Sequence, residues 1–164
     1  MLIKMKKSFL KPNLGFSLIE VIIASAIVSS LVLAISFVST KGITLSNRAL
    51  KEVQTTNLLS EGAEAVRLIR DNSWTNISSL QVGTNYYLYF NTTTNLWSLS
   101  QTPNTIDYFT RIITVSNVYR DVNNDIASTG TLDSNSKLFT ITTTFNTKEG
   151  TVTKQLQLYI FNIF

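Results

Sequence analysis

The chain contains neither cysteine nor histidine. The first absence excludes disulfides and thiolate metal sites, so the fold must hold through packing alone. The second excludes an imidazole base, a histidine-dependent triad and any His-ligated metal. Proline is nearly absent as well, with only Pro12 and Pro103. Nothing therefore interrupts a helix between those positions on proline's account. Charge is sparse and unevenly placed. Lys4, Lys6, Lys7 and Lys11 stand together near the start without an acid among them. Removing residues 1–15 takes away four of the fourteen bases and leaves ten against ten acids, so the pI of about 9.4 belongs to the leader. A basic nucleic-acid-binding face has no support in that distribution. No phosphate-binding glycine loop, nucleophile elbow or catalytic carboxylate constellation is present, so no enzyme and no cofactor is expected.

What the chain has in abundance is one apolar run. Phe16 to Val38 reads FSLIEVIIASAIVSSLVLAISFV, with Glu20 its single charge. As a helix it reaches about 35 Å, enough to cross a bilayer core of about 30 Å. A cleaved secretory signal, with Ala34 and Ser36 before a cut, is one account of this segment. An ordinary signal anchor holding an extracytoplasmic domain is another, and a buried helix of a soluble protein a third. Glu20 weighs against all of them. A carboxylate at mid-membrane costs about 2.5–3.5 kcal/mol, less near the end of a span, and an anchor has no reason to carry it. A cationic partner would offset that cost. A cut after Gly15 would create one, the ammonium of Phe16, four positions before Glu20.

The stretch Gly15-Phe16-Ser17-Leu18-Ile19-Glu20 resembles the processing site of type IV prepilins and type II secretion pseudopilins. Ser17 stands where Thr is commoner in that family, and Leu14 where a polar or basic residue often precedes the glycine. The resemblance implies a short basic leader, residues 1–15, removed by a membrane aspartyl prepilin peptidase that cuts after Gly15 and methylates the Phe16 amine. It implies that Glu20 pairs with the amine of a neighbouring subunit during assembly. The implied partners are other pilin or pseudopilin subunits, an inner-membrane assembly platform and the lipid bilayer. The implied location is the cytoplasmic membrane, with the N-terminus in the cytoplasm, and then an extracytoplasmic filament. Leu58 to Arg67 resembles, more weakly, the same region of minor pilins and minor pseudopilins. The missing Cys pair also argues against a major pilin. The competing reading is a monomeric membrane-anchored binding domain that never polymerises.

Beyond the apolar run, residues 39–72 keep a helical pattern. Ile43, Leu50, Val53, Leu59, Val66 and Ile69 recur at three- to seven-residue spacings, with charges left for other faces. Glu64 with Arg67, and Arg67 with Asp71, are spaced for helix pairs, and Asp71-Asn72-Ser73 reads as the stop. A single helix from Phe16 to about Asp71 would be roughly 80 Å long, the alternative being a break near Lys41-Gly42. Residues 73–164 read as a globular antiparallel β domain. Tyr86–Phe90 and Leu96–Leu99 flank the turn Asn91 to Asn95. Tyr108–Tyr119 and Leu138–Phe145 are longer strands, and Lys148-Glu149-Gly150 turns into a last strand with Val152, Leu156, Leu158 and Ile160 on its apolar face. The fold class is α+β, a long N-terminal helix packed on a small antiparallel sheet.

Two other constellations could carry chemistry. Asp121, Asn123 and Asp125 alternate as calcium ligands do, but Ile126 occupies the place of the turn glycine and Leu132 that of the bidentate acid, with Asp133 one residue late. Some pseudopilins hold calcium in a loop of this domain. The pattern here reads as a solvated turn, and no metal is expected. Tyr86, Tyr87, Tyr89, Phe90 and Trp97 suit either a ligand surface or cross-strand packing pairs.

Overall fold

The computed structural model describes residues 15–163, and the leader lysines with Leu14 lie outside the described residues. The chain divides into two units, Met1–Asn47 and Arg48–Phe164. Helix α1, Leu18–Asn72, belongs to both. It passes Lys41-Gly42 without the break considered above.

In the first unit the helix starts where the Ser17 carbonyl accepts from the amides of Glu20 and Val21, at 3.0 and 3.2 Å. Every described residue of this unit is exposed. Five of its hydroxyls are satisfied inside the helix. Ser25, Ser30 and Ser36 each donate to a carbonyl one turn back at 2.8 Å, and Thr40 and Thr44 do so at 2.9 Å. A hydroxyl already bonded to its own backbone loses little on leaving water, so these residues do not spoil an apolar surface.

The second unit packs the later part of α1 on a sheet. Its seven strands are β1 Asn85–Asn91, β2 Leu96–Ser100, β3 Thr105–Ile106, β4 Phe109–Arg120, β5 Ile126–Ala127, β6 Thr131–Thr147 and β7 Gly150–Phe161. All pairings are antiparallel, in the order β2-β1-β4-β6-β7, with β3 and β5 also on β4. A one-turn helix, α2 Thr75–Ser78, sits between α1 and β1 and buries Ile77. The period-two pattern of β6 works as expected. Phe139, Ile141, Thr143 and Phe145 point inward, while Thr140, Thr142 and Thr144 do not. Phe90 and Trp97 stand directly opposite across the β1–β2 hairpin, with ring centroids 5.1 Å apart, so they form a packing pair.

The buried stripe of α1 differs from the expected one. Leu59, Val66 and Ile69 are buried as anticipated, but Leu50 and Val53 are both 58% exposed. The rest of the stripe is Thr55, Gly62, Ala63 and Ala65. Small residues are needed there because the sheet comes close. A Cβ on Gly62 would lie 3.1 Å from Cγ2 of Ile141 and 3.4 Å from Cδ of Arg111. On β7, likewise, Ile160 is fully buried but Leu156 is 36% exposed, as befits an edge strand only partly covered. Ion pairs also depart in part from expectation. Glu64 pairs with Arg67, whereas Asp71 is taken by its neighbour Arg70 at 2.7 Å.

The least expected core residue is Arg111, 3% exposed on β4. Its Nη1 donates to the Leu58 carbonyl of α1 at 2.9 Å and lies 3.5 Å from a Glu61 carboxylate oxygen. Its Nε has no partner, nor has the Oγ1 of Thr143, the residue opposite it on β6. A buried charge with one long ion pair and an orphan donor recovers its desolvation cost poorly. Glu61, with its side chain 45% exposed, would return to water if the arginine were lost. Arg111→Met is therefore expected to hold stability or raise it, by up to about 4 kcal/mol, in urea denaturation of the full-length protein. A loss greater than about 1 kcal/mol would show that the bond to Leu58 outweighs desolvation.

Candidate processing and assembly site

Gly15, Phe16 and Ser17 precede the first helical residue and are exposed. A Cβ on Gly15 would meet nothing within 4 Å, so its own surroundings do not require glycine. Phe16 is 82% exposed. The peptide bond between them lies in accessible, non-helical chain, the state a protease needs. Glu20 follows in the first turn of α1. It lines one shallow groove together with Phe16, Val21, Ala24, Ser25 and Val28. Of the site residues read from the sequence, Phe16 and Glu20 share this groove, and Gly15 lies outside it.

An acid in a first helical turn gains about 0.3–1 kcal/mol from the helix dipole. That is too little to offset about 2.5–3.5 kcal/mol of transfer into lipid. Among the described residues the Glu20 carboxylate has no hydrogen bond and no ion pair.

Asp121, Asn123 and Asp125 fall in the turn after β4. Asp121 Oδ1 accepts from the amides of Asn123 and Asp125, both at 2.9 Å. Asn124 takes a positive φ of 67° to close the turn, and the Asp121 amide donates to the Asp125 carbonyl at 2.9 Å. The Asp121 carboxylate therefore braces its own loop.

Asp133, which the calcium comparison passed over, has a structural task nearby. The register between β4 and β6 shifts after Asn117, and Asp133 ties the irregular stretch down. It accepts from the Ser136 hydroxyl at 2.7 Å, Arg120 Nε at 2.6 Å and the Asn135 amide at 2.9 Å. The Ser136 hydroxyl first, and then Arg120, hold its carboxyl below the usual value near 3.8, although burial opposes them. A depressed native pKa means that the unfolded chain binds the proton more readily. The contribution of Asp133 is complete above the unfolded pKa and is lost as pH falls through the native one. Melting temperature should accordingly drop as pH is lowered below about 4, and Asp133→Asn should flatten that acid limb. An unchanged acid limb in the variant would contradict this role.

The model of the prokaryotic N-terminal methylation motif matches residues 10–36. The match includes Gly15, Phe16 and Glu20, and it supports a likeness of this N-terminal segment to type IV prepilins and pseudopilins. The motif implies processing by a prepilin peptidase and a pilin- or pseudopilin-like role among other such subunits. No curated protein and no solved structure matches the chain.

Proposed function

We propose that this chain is a minor subunit of a type IV pilus or of a type II secretion pseudopilus. The leader 1–15 is cut between Gly15 and Phe16, and Phe16 is N-methylated. Residues 16–38 hold the subunit in the inner membrane with the N-terminus in the cytoplasm, and 73–164 form the extracytoplasmic domain carried by the amphipathic stretch 39–72. Glu20 meets the amine of a neighbouring subunit as the assembly platform docks each chain into the filament. The role is structural and not catalytic.

The observation that supports this reading most is the methylation motif at the head of an apolar helix that the chain leaves bare. Phe16, Leu18, Ile19, Val21, Ile22, Ile23, Ile27 and Val28 are each more than half exposed, and the pattern continues to Val38. Each large apolar side chain left in water forgoes about 1.5–3 kcal/mol, so lipid or neighbouring helices must cover the segment. Shearing cells and recovering the extracellular filaments tests the reading. The chain should appear in that fraction together with other subunits. Retention wholly in the membrane as a monomer would favour the anchored binding domain.

A further inference from the structure

A cleft of about 440 Å³ opens between the end of α1, the short helix α2 and the β1–β2 hairpin. Trp97 forms its aromatic wall, partly buried against the core and steadied by Phe90 at 5.1 Å. Asn72, Asn76 and Ser79 come from the helical side, Asn91, Thr94 and Ser98 of the hairpin contribute to the rim, and no residue lining the cleft is charged.

The hydrogen-bonding capacity of these groups is largely unspent. Asn76 gives its amide to the Ile69 carbonyl at 3.4 Å and keeps its oxygen free. Asn91 uses its oxygen on the amides of Thr93 and Thr94, at 2.9 and 3.2 Å, and keeps its NH₂. Among the described residues, the side chains of Asn72, Ser79 and Ser98 and the Trp97 indole N–H make no hydrogen bond. The cleft thus offers unspent donors and acceptors from its helical side, at Asn72, Asn76 and Ser79, near one aromatic surface.

That chemistry discriminates between ligand classes. An ion finds no counter-charge here. A wholly apolar molecule would strip water from the polar side chains of Asn72, Asn76 and Ser79 and pair none of them. A neutral sugar matches both features, because its C–H face stacks on an indole while its hydroxyls donate to amide oxygens and accept from amide NH₂ groups. Half-open clefts with few fixed polar groups around an aromatic wall suit such ligands. We propose that this cleft binds a neutral saccharide. The inference stands apart from the filament reading and holds for an anchored monomer equally.

The test uses the full-length chain in a phosphocholine detergent, since maltoside headgroups would compete. Cellotriose, maltotriose and triacetylchitotriose are titrated while the Trp97 indole and the asparagine side-chain amides are followed by ¹H–¹⁵N correlation spectra. At least one of these sugars should shift those signals saturably. Trp97→Ala should weaken binding about tenfold, as loss of a central aromatic contact does. Because that ring also packs on the core, exposed Asn72→Ala provides a second variant and should weaken binding while leaving the melting temperature unchanged. The proposal is overturned if no sugar shifts Trp97 at tens of millimolar. It is also overturned if a neutral peptide alone does so, or if the shifts survive in both folded variants.

Discussion

Glu20→Ala is expected to insert into the membrane at least as well as the parent chain and to disappear from sheared filaments. The two halves of this result follow from one group. In lipid an unpaired carboxylate costs about 2.5–3.5 kcal/mol at mid-span, so its removal eases insertion of the monomer. In the proposed filament the same carboxylate faces the Phe16 ammonium of a neighbour. Deleting one member of a buried pair leaves the other uncompensated, at about 3–5 kcal/mol. A loss of that size lowers the equilibrium for each addition by about two to four orders of magnitude. Folding should not respond, because the core of the sheet unit is drawn from Leu59, Ala63 and residues beyond. Crosslinking to partner subunits, together with recovery in the sheared fraction, reads assembly. The melting temperature of the purified protein reads the fold. Equal incorporation of variant and parent would mean that Glu20 merely reaches interfacial water.

Phe139→Ala should have the largest effect on stability, about 3–5 kcal/mol. Phe139 is fully buried in the middle of β6, opposite Val115 of β4 on one side and Leu158 of β7 on the other. Its removal leaves a cavity at the junction of three strands. A domain of this size holds about 5–15 kcal/mol in all, and without cysteine no crosslink limits the unfolded chain. The variant should lose most of its cooperative unfolding transition in urea yet still be cut after Gly15, since that bond lies outside the sheet. Leu132→Ala, at a side chain 52% exposed, should by contrast change stability by no more than about 0.5 kcal/mol. A loss below about 1 kcal/mol for Phe139→Ala would mean that the core collapses readily around the gap.

Which features could be read in advance follows from how local their causes are. The β1–β2 hairpin was legible because Asn91 to Asn95 supplies turn chemistry between two aromatic runs, and Asn95 takes a positive φ of 55°. Strands β4 and β7 announce themselves by alternation, but β3 and β5 span two residues each and exist only as pairings with β4. β6 begins at Thr131, well before the apolar run at Leu138, because hydrogen bonds to Asp133 hold a polar stretch in the ladder. Small residues in the buried stripe of α1 give no apolar signal, so Thr55 and Gly62 escaped while Leu50 and Val53 misled. Arg111 does stand on the inward side of Phe109, Ile113 and Val115 by strict alternation. That signal was available, but its partners Leu58 and Glu61 are about fifty residues away in the chain. The site residues Gly15, Phe16 and Glu20 lie within six positions, so their relation needs no tertiary contact and the motif itself carries it.

The claim on which the rest depends is that this N-terminus is a prepilin processing site, and intact mass of the membrane-extracted protein tests it most directly. The account predicts a chain beginning at Phe16 with one added methyl group, and an uncut chain when Gly15 is replaced by a bulky residue. A chain still beginning at Met1 in a host that has the peptidase, or one cut near Ser36 as a secretory signal would be, contradicts it.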